Sequence, residues 1–128
     1  MDSDVLAAIF TKAAAHGIRQ GLLQADVQLE SSGDPFSIGD GGLAMGLMQV
    51  HKFAAAEVGV DWNKLAAAIA AKDRATAIEL GLEAGALYLA KMLRLFNGNE
   101  HLALMAFNRG ETVIHLGDEY ATAVLALG

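Results

Sequence analysis

The chain has 128 residues, 54% of them hydrophobic and 19% charged, with one proline, no cysteine and a formal charge of -6. It is long enough for one domain with a sizeable core, and too apolar for disorder. The missing cysteine excludes disulfides, thiolate zinc sites and a cysteine nucleophile, and an acidic chain without a basic cluster is a poor partner for nucleic acid.

The N-terminal MDSDVLAAIF is acidic where a secretion signal would be basic. The longest apolar run, Leu65 to Ala71, is far shorter than the ~20 residues that cross a bilayer. The expectation is a soluble chain, with no export signal and no membrane insertion, forming a single domain over 1–128.

Ser3 or Asp4 is placed to cap a first helix with Val5, Leu6, Ile9, Phe10 and Ala13 on one stripe, ending near Gly17. A second helix, Ile18 to Ser31, sets Leu22, Leu23, Val27 and Glu30 at helical spacing. Residues Ser32 to Gly46 hold too many glycines, and the proline, for a helix or a central strand. Helical patterning resumes over His51 to Val58 and Trp62 to Lys72.

A long helix follows over Asp73 to Asn97, with Ile78, Leu82, Leu89, Met92, Leu93 and Phe96 at threes and fours and Gly98 as its cap. At about 1.5 Å per residue it would run roughly 37 Å, through the whole domain. Asn99 starts another helix over His101 to Phe107, and shorter pieces are expected at Glu111 to Leu116 and Asp118 to Leu127. The sum is an all-α, mainly helical fold around one long central helix, with at most a minimal β element in the glycine-rich loop.

Glu30 falls in register with the apolar stripe of its helix, so its side chain is expected to lean toward the core. A carboxyl held against apolar groups resists ionising. That is the condition for a general acid that gives its proton to a leaving oxygen. The plainer alternative is a surface glutamate at a helix end. Asp40, ten positions later in Gly-Asp-Gly-Gly, is expected to be more exposed and ionised. Two carboxyls in unlike surroundings are glycosidase equipment, although Asp beside Gly is also a common turn former. Asp26, one turn before Glu30, is expected to face solvent.

Gly46-Leu47-Met48-Gln49 fits neither a helix stripe nor strand alternation. Gly46 allows an unusual backbone, and Gln49 offers a donor and an acceptor to a sugar; packing of Leu47 and Met48 is the plainer reading. Ala106-Phe107-Asn108-Arg109-Gly110 combines an aromatic, an amide and a glycine at a helix end. His51 is read as an ordinary helix-start residue, and Trp62 and Tyr88 as core. His16, His101 and His115 lack metal-ligand spacing; no metal and no cofactor are expected.

The order E-S-S-G-D-P, G-D-G-G-x-A-x-G-L-M-Q-V, a long helix, A-F-N-x-G and D-E-Y-x-x-x-V resembles the goose-type lysozymes and soluble lytic transglycosylases, from about residue 20 to 127. The resemblance implies a lysozyme-like fold that cuts the β-1,4 bond between N-acetylmuramic acid and N-acetylglucosamine in a peptidoglycan glycan strand. It implies Glu30 as the catalytic acid and Ser31 as the serine that helps hold the site. Gly46, Met48 and Gln49 match the strip lining the sugar groove, Asn108 the distal asparagine, and Tyr120 a tyrosine on the last helix. Phe107 stands where the family usually has tyrosine, and His51 where goose-type enzymes often carry an acid.

Two reactions fit the resemblance. In hydrolysis, favoured by the Gly-Asp-Gly-Gly spacing, Glu30 protonates the bridging oxygen while Asp40 orients water, with carboxyls roughly 6.5–9.5 Å apart. In lytic transglycosylation Glu30 is both acid and base, and the muramic acid's own 6-hydroxyl attacks to give a 1,6-anhydro product. A non-catalytic glycan-binding or structural domain is the third option. A monomer is expected. Net negative charge opposes attraction to anionic walls, so groove contacts or a targeting domain must supply affinity. A chain of this kind would suit a bacteriophage endolysin or virion-borne lysin released from the host cytoplasm.

Overall fold

The computed structural model describes residues 1–109 and 124–126. Helices dominate: α1 Ser3–His16, α2 Gln20–Ser31, α3 Lys52–Glu57, α4 Trp62–Ala70, α5 Arg74–Leu95 and α6 Glu100–Arg109. Between α2 and α3 lie three two-residue strands, β1 Ile38–Gly39, β2 Ala44–Met45 and β3 Val50–His51, with a 3-10 turn at Asp40–Gly42. They form one antiparallel sheet in the order β1-β2-β3, pairing Gly39 with Ala44 and Ala44 with His51. The mainly helical, lysozyme-like architecture is the one expected, and the minimal β element proves to be this small sheet. Among the described residues no helix is long and apolar enough to cross a membrane.

The central helix α5 contacts α1, α3, α4, α6 and β3. Its Leu82, Leu89 and Met92 are fully buried with Ile9, Leu22, Leu23, Leu47 and Leu104 in the main core. Burying side chains of this size contributes about 1.5–3 kcal/mol each. Asp73 caps α5, its carboxylate accepting from Thr76 N. The other end differs from expectation. The helix closes at Phe96; Asn97 takes a left-handed φ of 55° and Gly98 N donates to Leu93 O at 2.7 Å. Asn99 starts α6 as expected, accepting from Leu102 N at 3.1 Å.

Two expectations for α1 fail. Its cap residue is Asp2, not Ser3 or Asp4, and both Asp2 and Asp4 pair with Arg74 at the start of α5. Arg74 Nη2 lies 2.8 Å from Asp2 and Nε 2.7 Å from Asp4. Phe10, placed on the buried stripe, is 61% exposed. The stripe is narrower, Val5–Ile9–Ala13, and among the described elements α1 packs mainly on α2 and α5. The expected pieces at 111–116 and 118–127 fall outside the described residues, save a helical stretch at 124–126 whose Val124 is buried.

Candidate active site

Helix α2 delivers the first carboxyl. Leu22, Leu23, Asp26 and Val27 are buried along one face, and Glu30, half-buried, ends it. The burial of Asp26 corrects the expectation of a solvent-facing residue. It lies four residues after Leu22 and three after Leu23, so the helix turns it inward with them. The helix stops at Ser32, whose N–H still donates to Gln28 O at 3.0 Å while its φ of 55° turns the chain out of the helix.

Ser31 joins this helix end to the Gly-Leu-Met-Gln strip. Its hydroxyl donates to Leu47 O at 2.8 Å and accepts from Gly33 N at 3.2 Å. Glu30 and the strip are thereby held in fixed relation. A bond of this kind contributes about 0.5–1.5 kcal/mol.

The strip itself is buried on its inner side. Gly46 has a φ of 81°, which a side chain would strain, and its N–H donates to Ser37 O at 2.8 Å. Met48 is fully buried, and Gly46 lies against Leu65 and Gly81. The side chain of Met48 therefore packs behind the groove instead of lining it. It seats over Gly85 of α5, where an added Cβ would collide with it.

Gln49 turns outward, with the left-handed φ of 51° unusual for a residue with a side chain. Its Nε2 donates to Gly46 O at 2.9 Å and to Ser37 O at 3.1 Å. Gly39 leaves the space that its Oε1 occupies. Both amide hydrogens are thus engaged in closing the glycine loop, and the side chain holds the wall's shape.

These elements meet at a cavity of about 330 Å³ lined by Glu30, Asp40, Gln49, His51, Phe107 and Asn108, with Ala44 at its base. Asp40, with a φ of 52°, follows β1, while His51 ends β3, two strands away. Asp40 Oδ2 lies 3.3 Å from His51 Nε2, and their side chains are 65% and 48% exposed. His51 is at a helix start, as expected, and it is also part of the cavity wall.

Beside this cavity opens a second of about 270 Å³, sharing Gln49, His51, Phe107 and Asn108 and adding Val50, Phe53, Ala54 and Tyr88. Phe107 and Tyr88 stack with ring centroids 5.6 Å apart at 55°. Tyr88 is core by burial, as expected, and also reaches this wall. Trp62 Nε1 donates to Val50 O at 2.9 Å and anchors β3 from behind.

The structure thus brings Glu30, Asp40, Gln49, Phe107 and Asn108 to one cavity. Ser31 lies beside it, Gly46 and Met48 behind it, and Tyr120 is outside the described residues. Phe53 and Tyr88 were missed as wall residues. Phe53 carried one signal, a large aromatic at the start of a helix of alanines; Tyr88 carried none apart from its place on α5. Among the described residues no group of three or more His, Asp or Glu is arranged to hold a metal ion.

An acid on a helix end, a glycine-rich wall and an aromatic-amide wall around one cavity suit a linear polar polymer. No curated protein and no solved structure gave a match to the chain. The model of the transglycosylase SLT domain matches residues 7–121. The chain belongs to this lysozyme-like family of peptidoglycan-cleaving lytic transglycosylases and glycosidases.

Proposed function

We propose that the chain is a lytic transglycosylase cutting the β-1,4 bond between N-acetylmuramic acid and N-acetylglucosamine, with Glu30 as sole acid and base. The observation that carries this reading is the half-buried Glu30 opening into a cavity walled by Gln49, Phe107 and Asn108, in a chain of the SLT family. The protonated carboxyl of Glu30 gives its proton to the bridging oxygen as the bond to C1 of the muramic acid breaks. The 6-hydroxyl of the same sugar then attacks C1, and Glu30 takes that hydroxyl's proton. The acid is regenerated and no water is consumed. A positioned acid of this kind contributes about 10²–10⁴-fold.

In this reading Phe107 offers the sugar an apolar face, and the amide of Asn108 offers one donor group and one acceptor. Gln49, Gly46, Met48 and Ser31 shape the wall.

Hydrolysis is the second reading, favoured by Asp40 lining the same cavity as Glu30. It is the weaker one. Asp40 is 65% exposed and paired with His51, so a water held there exchanges readily with solvent. Digestion of peptidoglycan in heavy-oxygen water separates the two. Transglycosylation leaves the new muramic ends unlabelled, whereas heavy oxygen at those ends would replace it with hydrolysis.

A further inference from the structure

The second cavity has a composition that the cleavage step does not call for. It continues the Glu30 cavity through four shared residues, yet its own additions are Val50, Phe53, Ala54 and Tyr88. Phe53 is 75% exposed, the most exposed of the large hydrophobic residues among the described ones. It sits in α3, one residue past Lys52, where the buried position of the helix is Ala55. The ring is therefore not part of the fold's packing.

We propose that Phe53 is a specificity-determining platform: it stacks under a sugar ring of the glycan strand beyond the one cleaved, so that the enzyme prefers longer strands. This rests on the glycan-cleaving function proposed above.

Three observations select a sugar as the occupant. The wall is amphipathic, with the Phe53, Tyr88 and Phe107 rings beside the polar His51 and Asn108. A pyranose matches that pattern, having a face of C–H groups and a rim of hydroxyls. Among the described residues no Asp, Glu, Lys or Arg lines the cavity, whereas a stem peptide, with its carboxylates and amines, calls for charged partners. The volume, about 270 Å³, lies near the lower end of the ~300–1,000 Å³ of small-molecule pockets and suits one ring better than a peptide. Continuity with the Glu30 cavity supplies the direction, since a strand crossing Glu30 must leave the cavity along one of its walls.

The test measures binding of purified glycan oligomers of rising length, free of peptide, to a Glu30→Gln chain, with and without Phe53→Ala. Phe53 is largely exposed, so its truncation leaves the fold intact. The parent should bind long oligomers more tightly than short ones. Phe53→Ala should remove about five- to tenfold of the affinity for long oligomers and flatten the length dependence. Phe53→Trp should restore it, and Phe10→Ala, a similarly exposed ring on α1, should change nothing. Equal binding with and without the Phe53 ring, no length dependence in the parent, or displacement of the oligomers by a sugar-free stem peptide would each overturn the proposal. Wild-type cleavage, measured separately, decides the proposed function: a chain that binds by length through Phe53 but does not cut sinks only that function.

Discussion

Met48 of the Gly-Leu-Met-Gln strip rests on Gly85 of the central helix with no room between them for a Cβ. One turn earlier, a Cβ added at Gly81 would stand 3.5 Å from Leu47 N and 4.0 Å from the Cα of Gly46, in ordinary contact. The inner wall of the cleft is therefore clamped to α5 at one glycine and merely adjacent to it at the other.

A pair of substitutions separates these roles. Gly85→Ala should destabilise the protein by at least about 1–3 kcal/mol through overpacking, and should lower activity because Met48 is displaced toward Gln49. Gly81→Ala should be neutral, or stabilise by up to about 1 kcal/mol from better helix propensity. Denaturant unfolding of both variants reads the contrast directly; equal effects would show that the clamp is not local.

Gln49 predicts a different separation. Its amide donates to two backbone carbonyls that close the glycine loop. Gln49→Ala removes both of these bonds, while Ser37 O and Gly46 O keep their backbone partners Gly46 N and Gln49 N, and should cost about 0.5–1.5 kcal/mol for each bond lost. Cleavage should fall by about tenfold or more in kcat/KM, beyond what the loss of folded protein explains. Steady-state kinetics under conditions where the variant is fully folded provide the check.

Asp40 distinguishes the two reactions genetically. Its contact with His51 is exposed on both sides, and exposed pairs are worth about 0–1 kcal/mol. Asp40→Asn should leave stability unchanged and activity within about threefold of wild type, with anhydro products retained. A loss of hundredfold or more would return the water-positioning role to Asp40.

The pH dependence of stability should carry the mark of one cluster far from the cleft. Glu83 on α5 accepts from Lys12 Nζ and meets His16 Nε2, each at 2.9 Å, while Lys12 also pairs with Glu79. Burial works to raise the pKa of Glu83, but the Lys12 and His16 contacts outweigh it and hold the carboxyl below its usual value of 4.5. For Lys12, burial works downward, and Glu79 and Glu83 outweigh it to raise the amine above 10.5. A lowered acid stabilises fully above 4.5 and loses that contribution as pH falls through its folded value; a raised amine stabilises below 10.5 and loses it on the alkaline side. Glu83→Gln should lower Tm by a few degrees at pH 7, and the difference should shrink toward pH 3. Thermal melts at both pH values test it.

Much of this was legible in the sequence because it depended on local rules. The period of α5 follows from the 3.6-residue repeat. The placement of Glu30 at the end of a buried stripe follows from the same repeat. What escaped depended on contacts between distant segments. Asp26 reads as solvent-facing because acids usually are, yet the face of α2 that carries Leu22 turns it inward. Gly85 carries no signal in the sequence, and only the approach of Met48 gives it a purpose. The three strands are two residues long, too short for any alternation, and turns and the amide of Gln49 hold them. Phe10 went astray because periodicity cannot tell which aromatic has a neighbour.

The central claim concerns the proton of Glu30, and mass spectrometry of peptidoglycan digested by the wild type beside Glu30→Gln tests it most directly. We expect wild-type fragments to end in 1,6-anhydro-N-acetylmuramic acid, each lighter by one water than a hydrolytic end, and the variant to release at least about 10²-fold less. Undiminished release by Glu30→Gln, or reducing muramic ends from the wild type, would contradict it.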